Sequence, residues 1–228
     1  MKKQIMNINK SLIWTRSIQD WEHDQDKLKV LKQHIIHLPC LKRIDLLIDD
    51  SLKKAPSTAT SVIFTSPYSV EVMLKKKWFM NILKVATIYT FGEKTTTVLK
   101  KKGFYLESPR HIHCGKDFAT YLENTLTRSW PVILPGAKTR AFDLFAYLSR
   151  RSFDVHNIDC YEVQYKTCLA NGTDLSKKKI DSFGKKTKGV VAFTSPLGAA
   201  AFIKTFYSKQ DYLKKNLIAA TIGKTTYH

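Results

Sequence analysis

The sequence predicts an α/β protein of two similar domains, each a parallel sheet flanked by helices. Three observations lead there. A pair of segments occurs twice: Phe64-Thr65-Ser66-Pro67 precedes Gly92-Glu93-Lys94-Thr95, and Phe193-Thr194-Ser195-Pro196 precedes Gly223-Lys224-Thr225-Thr226. The spacing nearly matches, with Pro67 28 residues before Thr95 and Pro196 30 before Thr226, so the chain carries an internal duplication. Short apolar runs alternate with amphipathic segments, the pattern that gives parallel strands with crossover helices on both faces. Each Phe-Thr-Ser-Pro closes an apolar run (Val62-Ile63-Phe64 and Val190-Val191-Ala192-Phe193) and opens an amphipathic one, which reads as a strand end, a Ser N-cap and a Pro in the first helical turn.

In chain order, Leu12-Ile13-Trp14 forms a short strand ahead of Thr15-Arg16. Ser17 to about Gln33 reads as a helix with apolar positions at Trp21, Leu28 and Leu31, and Ile35-Ile36-His37-Leu38 as a strand that Pro39 breaks. Residues 40–60 are mixed, with a loop at Ala55-Pro56-Ser57-Thr58. A strand at 62–64, a helix over 67–80, a strand at 84–89 and a helix over 93–102 follow, the last closed by Gly103 in the left-handed conformation. A short strand is expected near Phe104-Tyr105-Leu106, then a helix over 116–128 with Phe118, Leu122 and Leu126 on one face. After Pro131, Val132-Ile133-Leu134 is a strand and Pro135-Gly136-Ala137-Lys138-Thr139-Arg140 leads to a helix carrying Phe142, Leu144, Phe145 and Leu148. Val155 to Val163 is a strand matching 35–44, and Leu217 to Ile222 the apolar run before the second Gly-x-x-Thr. By symmetry with the first repeat, the second is expected to lack its last β/α elements.

Composition narrows the function. No apolar stretch reaches the eighteen or so residues of a membrane span, and the first ten residues lack a signal peptide's apolar core, so a cytoplasmic protein with no membrane partner is expected. The four cysteines (Cys40, Cys114, Cys160, Cys168) form no C-x-x-C, which points to reduced thiols rather than a zinc site or disulfide framework. The formal charge of +19 comes overwhelmingly from Lys, in runs such as Lys75-Lys76-Lys77 and Lys100-Lys101-Lys102 that suit solvated helix ends. Such a surface welcomes a polyanion, and a basic nucleic-acid-binding protein stays open as an alternative.

Among the motifs, Gly223-Lys224-Thr225 resembles the tail of a phosphate-binding loop, but Ile218 stands where that loop needs its first Gly. No G-x-G-x-x-G exists, and His111-x-His113 reads as a surface loop because a catalytic metal needs three fixed ligands. Ser66 and Ser195 are helix caps at strand ends, where hydroxyls and free backbone N–H groups attract carboxylates or phosphates. Arg16 and Arg140 occupy equivalent places after the first strand of each half, and either could hold a carboxylate bidentately or pair within its own domain. Tyr161 lies where the 155–163 strand runs out, a position that periodicity alone assigns to packing.

Taken together, the doubled F-T-S-P, the doubled G-x-x-T, the early Thr15-Arg16, Leu134-Pro135-Gly136 leading to Arg140, and the Asp159-Cys160-Tyr161-Glu162-Val163 segment resemble uroporphyrinogen-III synthases, in order and over nearly the whole chain. The resemblance implies two domains joined by a two-stranded linker: residues 1–38 with 169–228, and 43–161, with linkers at 39–42 and 162–168. It implies a monomer that cyclises the linear tetrapyrrole hydroxymethylbilane with inversion of its last ring, a lyase reaction of heme biosynthesis needing no cofactor and no metal. Carried over residue by residue, Tyr161 matches the tyrosine proposed as general acid for the departing hydroxyl. Ser66, Thr95 and Thr226 match hydroxyls that line the cleft, and Ser195, Arg16 and Arg140 are further candidates for holding substrate carboxylates. A shortened, non-catalytic relative that binds tetrapyrrole or a partner protein is the other reading the resemblance leaves open.

Overall fold

The computed structural model describes residues 11–31, 34–48, 60–109, 111–112, 114–140, 142–165 and 188–221, with the single positions Leu175 and Phe183. The chain divides into two units, 1–43 with 164–228, and 44–163. It passes between them inside two strands, β3 (Leu41–Asp45) and β7 (Val155–Tyr165).

In the first unit, four strands lie in the order β2 (Ile35–His37), β1 (Ser11–Trp14), β8 (Gly189–Phe193), β9 (Leu217–Thr221), with every pairing parallel. Helix α1 (Ile18–Lys29) crosses between β1 and β2, and α7 (Pro196–Thr205), a turn of 3-10 helix at Tyr207–Lys209 and α8 (Gln210–Asn216) between β8 and β9. Ile13, Val191 and Phe193 pack against Phe202, Phe206 and Leu213 to form the core.

The second unit is a sheet in the order β3, β7, β6 (Val132–Ala137), β4 (Ser61–Phe64), β5 (Thr87–Thr90), with β7–β6, β6–β4 and β4–β5 all parallel. Alternation along the strands separates two cores. Val62, Phe64 and Ile133 face the layer of α2 (Pro67–Leu74), α3 (Lys77–Leu83) and α4 (Glu93–Lys101). Ile63, Val132 and Leu134 face α5 (Gly115–Thr125) and α6 (Leu144–Ser149). Covered on both faces, β4 is buried along its whole length, as a central parallel strand requires.

Local chemistry sets the ends of these elements. After α4, Gly103 adopts φ +83°, its N–H bonds the Lys100 carbonyl at 2.9 Å and Phe104 N–H bonds that of Leu99 at 3.3 Å, the paired bonds of a Schellman stop. Elsewhere the boundaries differ from those expected. The helix expected over 67–80 breaks at Lys76, whose backbone is extended (φ −96°, ψ 110°). Three adjacent lysines gain by spreading, Lys75 reaches Asp45 at 3.3 Å, and the restart turns Phe79 into the core edge-on to Phe64. The strand expected from 84 starts at Thr87, because Val85 and Ala86 donate to the Ile82 carbonyl in a closed turn that leaves Val85 exposed. The α1 helix ends at Lys29 rather than near 33, with Leu31 half exposed. The strand expected at 104–106 reduces to one bridge, Glu107 with Tyr89. The strand expected at 132–134 extends through Pro135 and Gly136 to Ala137, where β6 runs on beside β7. Beyond Ile133 no residue of β6 pairs with β4, so the missing N–H of Pro135 costs no bond on that side.

Candidate functional site

Both Phe-Thr-Ser-Pro segments fold alike. Ser66 (φ −145°, ψ 143°) caps α2, its Oγ accepting from Ser69 N–H at 3.1 Å, and Ser195 (φ −156°, ψ 150°) caps α7, accepting from Gly198 N–H at 3.1 Å. Pro67 and Pro196 occupy the first turns, where a missing N–H costs nothing. Beyond the cap the two differ. The Ser66 hydroxyl also donates to Ser69 Oγ at 3.0 Å, and Ser69, wholly buried, donates on to the Ser66 carbonyl at 2.8 Å.

Tyr161 reaches this corner through an irregularity. The β6–β7 register runs Pro135 with Ile158 and Gly136 with Asp159, then jumps to Ala137 with Tyr161, leaving Cys160 as an extra residue. Strict alternation would send Tyr161 to the face opposite Cys160. The bulge brings it instead to the side of Ala137 and the α2 layer, the re-aiming that such insertions accomplish. There the buried phenol donates to Ser66 Oγ at 3.1 Å, and its ring meets Tyr68 edge to face with centroids 4.9 Å apart. Lys138 N–H bonds the Tyr161 carbonyl at 2.8 Å and fixes the backbone behind it. Cys160 itself is buried, donating to the Gly136 carbonyl at 3.4 Å, and burial pushes its thiol up to about 12.

Arg140 folds back over the end of β6. Its Nε donates to the Ala137 carbonyl at 2.9 Å and Nη2 to that of Leu134 at 3.4 Å, and its ion pair with Asp159 is long, at 3.6 Å. Only 14% of the side chain is exposed, and burial lowers its pKa, opposed in part by Asp159. An added Cβ at 136 would stand 2.8 Å from Arg140 Nε, so any larger residue there displaces the guanidinium.

Ser66, Arg140 and Tyr161 line one cavity of about 340 Å³, within the usual range of small-molecule sites. Thr65 and Thr139 add polar groups, and Phe91, Phe118 and Phe142 give apolar walls. Sequence reasoning singled out neither Thr139 nor Phe142 as a site residue. Position offered a signal for both, since each lies within two residues of Arg140.

The other expected site residues fall elsewhere. Thr95 is buried inside α4 and does not line the cavity. Its neighbour Thr96 bonds Thr90 Oγ1 at 2.8 Å and Ser108 at 3.1 Å, tying α4 to β5. Arg16, in the first unit, is engaged by two carboxylates, Asp20 at 2.8 Å and Asp24 at 2.9 Å, and Trp14 Nε1 also donates to Asp24. Thr226 lies outside the described residues, as do Gly223, Lys224 and His113. Among the described residues no group of three His, Cys, Asp or Glu side chains could hold a metal, and no helix is long and apolar enough to cross a membrane.

The family model for "Uroporphyrinogen-III synthase HemD" matches residues 24–228. The chain belongs to the uroporphyrinogen-III synthase family. Membership places it in tetrapyrrole and heme biosynthesis. Among solved structures, uroporphyrinogen-III synthetase from Helicobacter pylori is similar with a TM-score of 0.62 and 19% identity, over 95% of this chain and 85% of that one. A mutant uroporphyrinogen III synthase from Thermus thermophilus gives a TM-score of 0.56 at 13% identity, over 95% of this chain and 86% of that one. At such identities these likenesses bear on the fold, which is the α/β architecture of two sheet units that the duplication predicts. No curated protein matches the sequence.

Proposed function

We propose that this protein is a uroporphyrinogen-III synthase in action as well as in family, a lyase that closes hydroxymethylbilane to uroporphyrinogen III with loss of water and inversion of ring D. The observation that carries the reading is the convergence of a phenol donor, a capping serine and a largely buried guanidinium on one aromatic-walled cavity. In the reaction, the C–O bond of the hydroxymethyl group breaks and its oxygen leaves as water with an added proton. The substituted α-carbon of ring D attacks the azafulvene cation left behind, and the spiro intermediate breaks that carbon's earlier bond to the bridge from ring C. The freed bridge carbon then bonds the other α-carbon of ring D, whose proton is lost, leaving the ring reversed.

Tyr161 acts at the first step as the hydrogen-bond donor that strengthens as the oxygen takes up charge. Its hydroxyl now donates to Ser66 Oγ at 3.1 Å, so the substrate oxygen replaces Ser66 as acceptor while the ring stays in place. Arg140 presents two donors on a rigid fork, and a substrate acetate or propionate would complete the coordination that distant Asp159 leaves weak. Phe91, Phe118 and Phe142 supply apolar surface for a pyrrole ring and exclude the water that would capture the cation. Since the linear substrate closes unaided to the unrotated isomer, positioning is the main work. We propose a monomer as the acting unit.

The test is to supply hydroxymethylbilane to the purified protein, oxidise the products and separate the isomers chromatographically. A large excess of isomer III over a protein-free control is expected; isomer I alone, at the spontaneous rate, overturns the proposal. Tyr161→Phe should lower turnover by roughly tenfold to a thousandfold with KM little changed.

A further inference from the structure

Tyr161 is held at two points by the same helix start, and only one of them is the serine already described. The second is Tyr68, which follows Pro67 in the first turn of α2. Its ring stands nearly perpendicular to that of Tyr161, at 81° with centroids 4.9 Å apart, an edge-to-face geometry that aromatic quadrupoles favour. Tyr68 is itself anchored. Its phenol donates to Asp45 Oδ1 at 2.7 Å, a short charge-assisted bond, and Lys75 Nζ sits 3.3 Å from the other carboxylate oxygen. Asp45 ends β3, the strand beside β7, and Leu46 N–H continues that pairing by bonding the Cys160 carbonyl at 3.0 Å. The loop therefore closes on itself: the strand next to β7 fixes Asp45, Asp45 fixes Tyr68, and Tyr68 fixes the ring carried by β7.

We propose that Tyr68, anchored by Asp45, is a positioning residue that holds the ring plane of Tyr161 so that its hydroxyl can exchange Ser66 for the substrate oxygen. The inference rests on the catalytic role proposed for Tyr161. The need is geometric, because a phenol that must change acceptors needs a ring that does not follow the hydroxyl. Ser66 restrains only the oxygen, and that restraint is released when the substrate takes its place. Tyr68 touches the ring edge-on and stays throughout. An aromatic pair of this kind is worth a factor of about two to ten in an equilibrium or rate.

The experiment labels the full-length protein with 3-fluorotyrosine at its ten tyrosines and identifies the Tyr161 fluorine signal as the one lost in Tyr161→Phe. In Tyr68→Leu that signal should move toward the free-amino-acid position and sharpen, with a smaller movement in Tyr68→Phe and in Asp45→Asn, which keep a side chain of similar shape. Kinetically, Tyr68→Leu should lower kcat by about threefold to tenfold with KM within about twofold. In a Tyr161→Phe background the same substitution should cost little further, since the hydroxyl being positioned is gone. An unmoved Tyr161 signal in the Tyr68 and Asp45 variants overturns the proposal, and so do rate losses that multiply in the double variant. If Tyr68→Leu does not fold, the two milder variants decide by the same signal. The spectrum needs no substrate, so failure of the positioning idea is told apart from failure of the synthase reading, which the isomer assay tests.

Discussion

Replacing Gly136 by Ala should disable Arg140 without touching it. The added Cβ would meet Arg140 Nε at 2.8 Å, Nη2 at 3.0 Å and Cζ at 3.1 Å, where ordinary contact begins at 3.4 Å, so the guanidinium must retreat by about 0.6 Å. That retreat stretches the 2.9 Å bond from Nε to the Ala137 carbonyl to the edge of hydrogen-bonding range and ends the weaker 3.4 Å bond to Leu134. Hydrogen bonds to a charged group contribute roughly 1.5–3 kcal/mol, and a flexible side chain recovers part of that, so a net loss of about 1–2 kcal/mol is expected. For a chain of this length such a loss corresponds to roughly 2–8 °C in Tm. On the clamp role proposed for Arg140, a displaced guanidinium should raise KM by about tenfold with a smaller effect on kcat. Thermal unfolding and steady-state kinetics on the purified variant measure both. In an Arg140→Ala background the same substitution should be nearly neutral, because the space is empty. Unchanged Tm and KM in the single variant would refute the reasoning by showing that Arg140 has another equally good resting place.

Ser66→Ala and Ser195→Ala remove matching caps and should each cost about 1 kcal/mol in chemical denaturation, yet only Ser66→Ala should also change turnover. Gly189→Ala should unfold the first unit, because its Cβ would stand within 2.9–3.0 Å of the Ser11 carbonyl carbon and nitrogen and closer still to the oxygen; normal circular dichroism and solubility would contradict this. Cys114 is exposed and should react with an alkylating reagent in the native protein, whereas Cys160 should react only after unfolding, as mass mapping of the adducts would show. Because burial holds the folded Cys160 thiol at about 12, above the 9.0 of a solvated thiol, the unfolded state releases its proton first. Its contribution to stability is therefore complete below pH 9 and lost between about 9 and 12, measurable as a falling denaturation midpoint over that window.

The parts of this architecture written as periodicity and capping are legible in the sequence. The Ser-Pro helix starts are local chemistry, and both occur where the pattern puts them. Gly103 and its Schellman bonds are likewise readable from one glycine after a basic helix end. What was not legible depends on partners distant in sequence. The sequence ends the strand at Leu134, but β7 supplies a neighbour along one edge as far as Ala137 and the arginine occupies the space a side chain at 136 would need, so the strand continues. Thr95 and Thr96 are adjacent and chemically alike, so the motif cannot say which one turns toward Thr90. Arg16 and Arg140 look equivalent by position. Asp20 and Asp24 lie one and two helical turns into α1 and pair with Arg16, whereas the segment after Arg140 offers Asp143 as a helix cap, and the nearest carboxylate to Arg140 is Asp159 on a neighbouring strand.

The duplicated motif shows how one local structure comes to carry two roles. Strand, Ser cap and Pro are reproduced at 66 and 195 with nearly the same dihedral angles and the same 3.1 Å cap bond, so the cap alone does not distinguish them. What distinguishes Ser66 is the extra residue at Cys160, which brings a phenol to the face where the cap lies. In the first unit β2, two strands from β8 as β7 is from β4, ends in His37, whose ring bonds the Arg16 carbonyl, and β1 ends at Trp14, followed by Thr15 and Arg16. Thr15 Oγ1 donates to the Ala192 carbonyl at 2.6 Å and Arg16 turns to its own helix, and neither delivers a donor to Ser195 among the described contacts. The repeated fold supplies a helix start able to accept a hydrogen bond in each unit. A single-residue bulge in one strand makes one of those starts the partner of a phenol, and the proposed chemistry then belongs to the second unit.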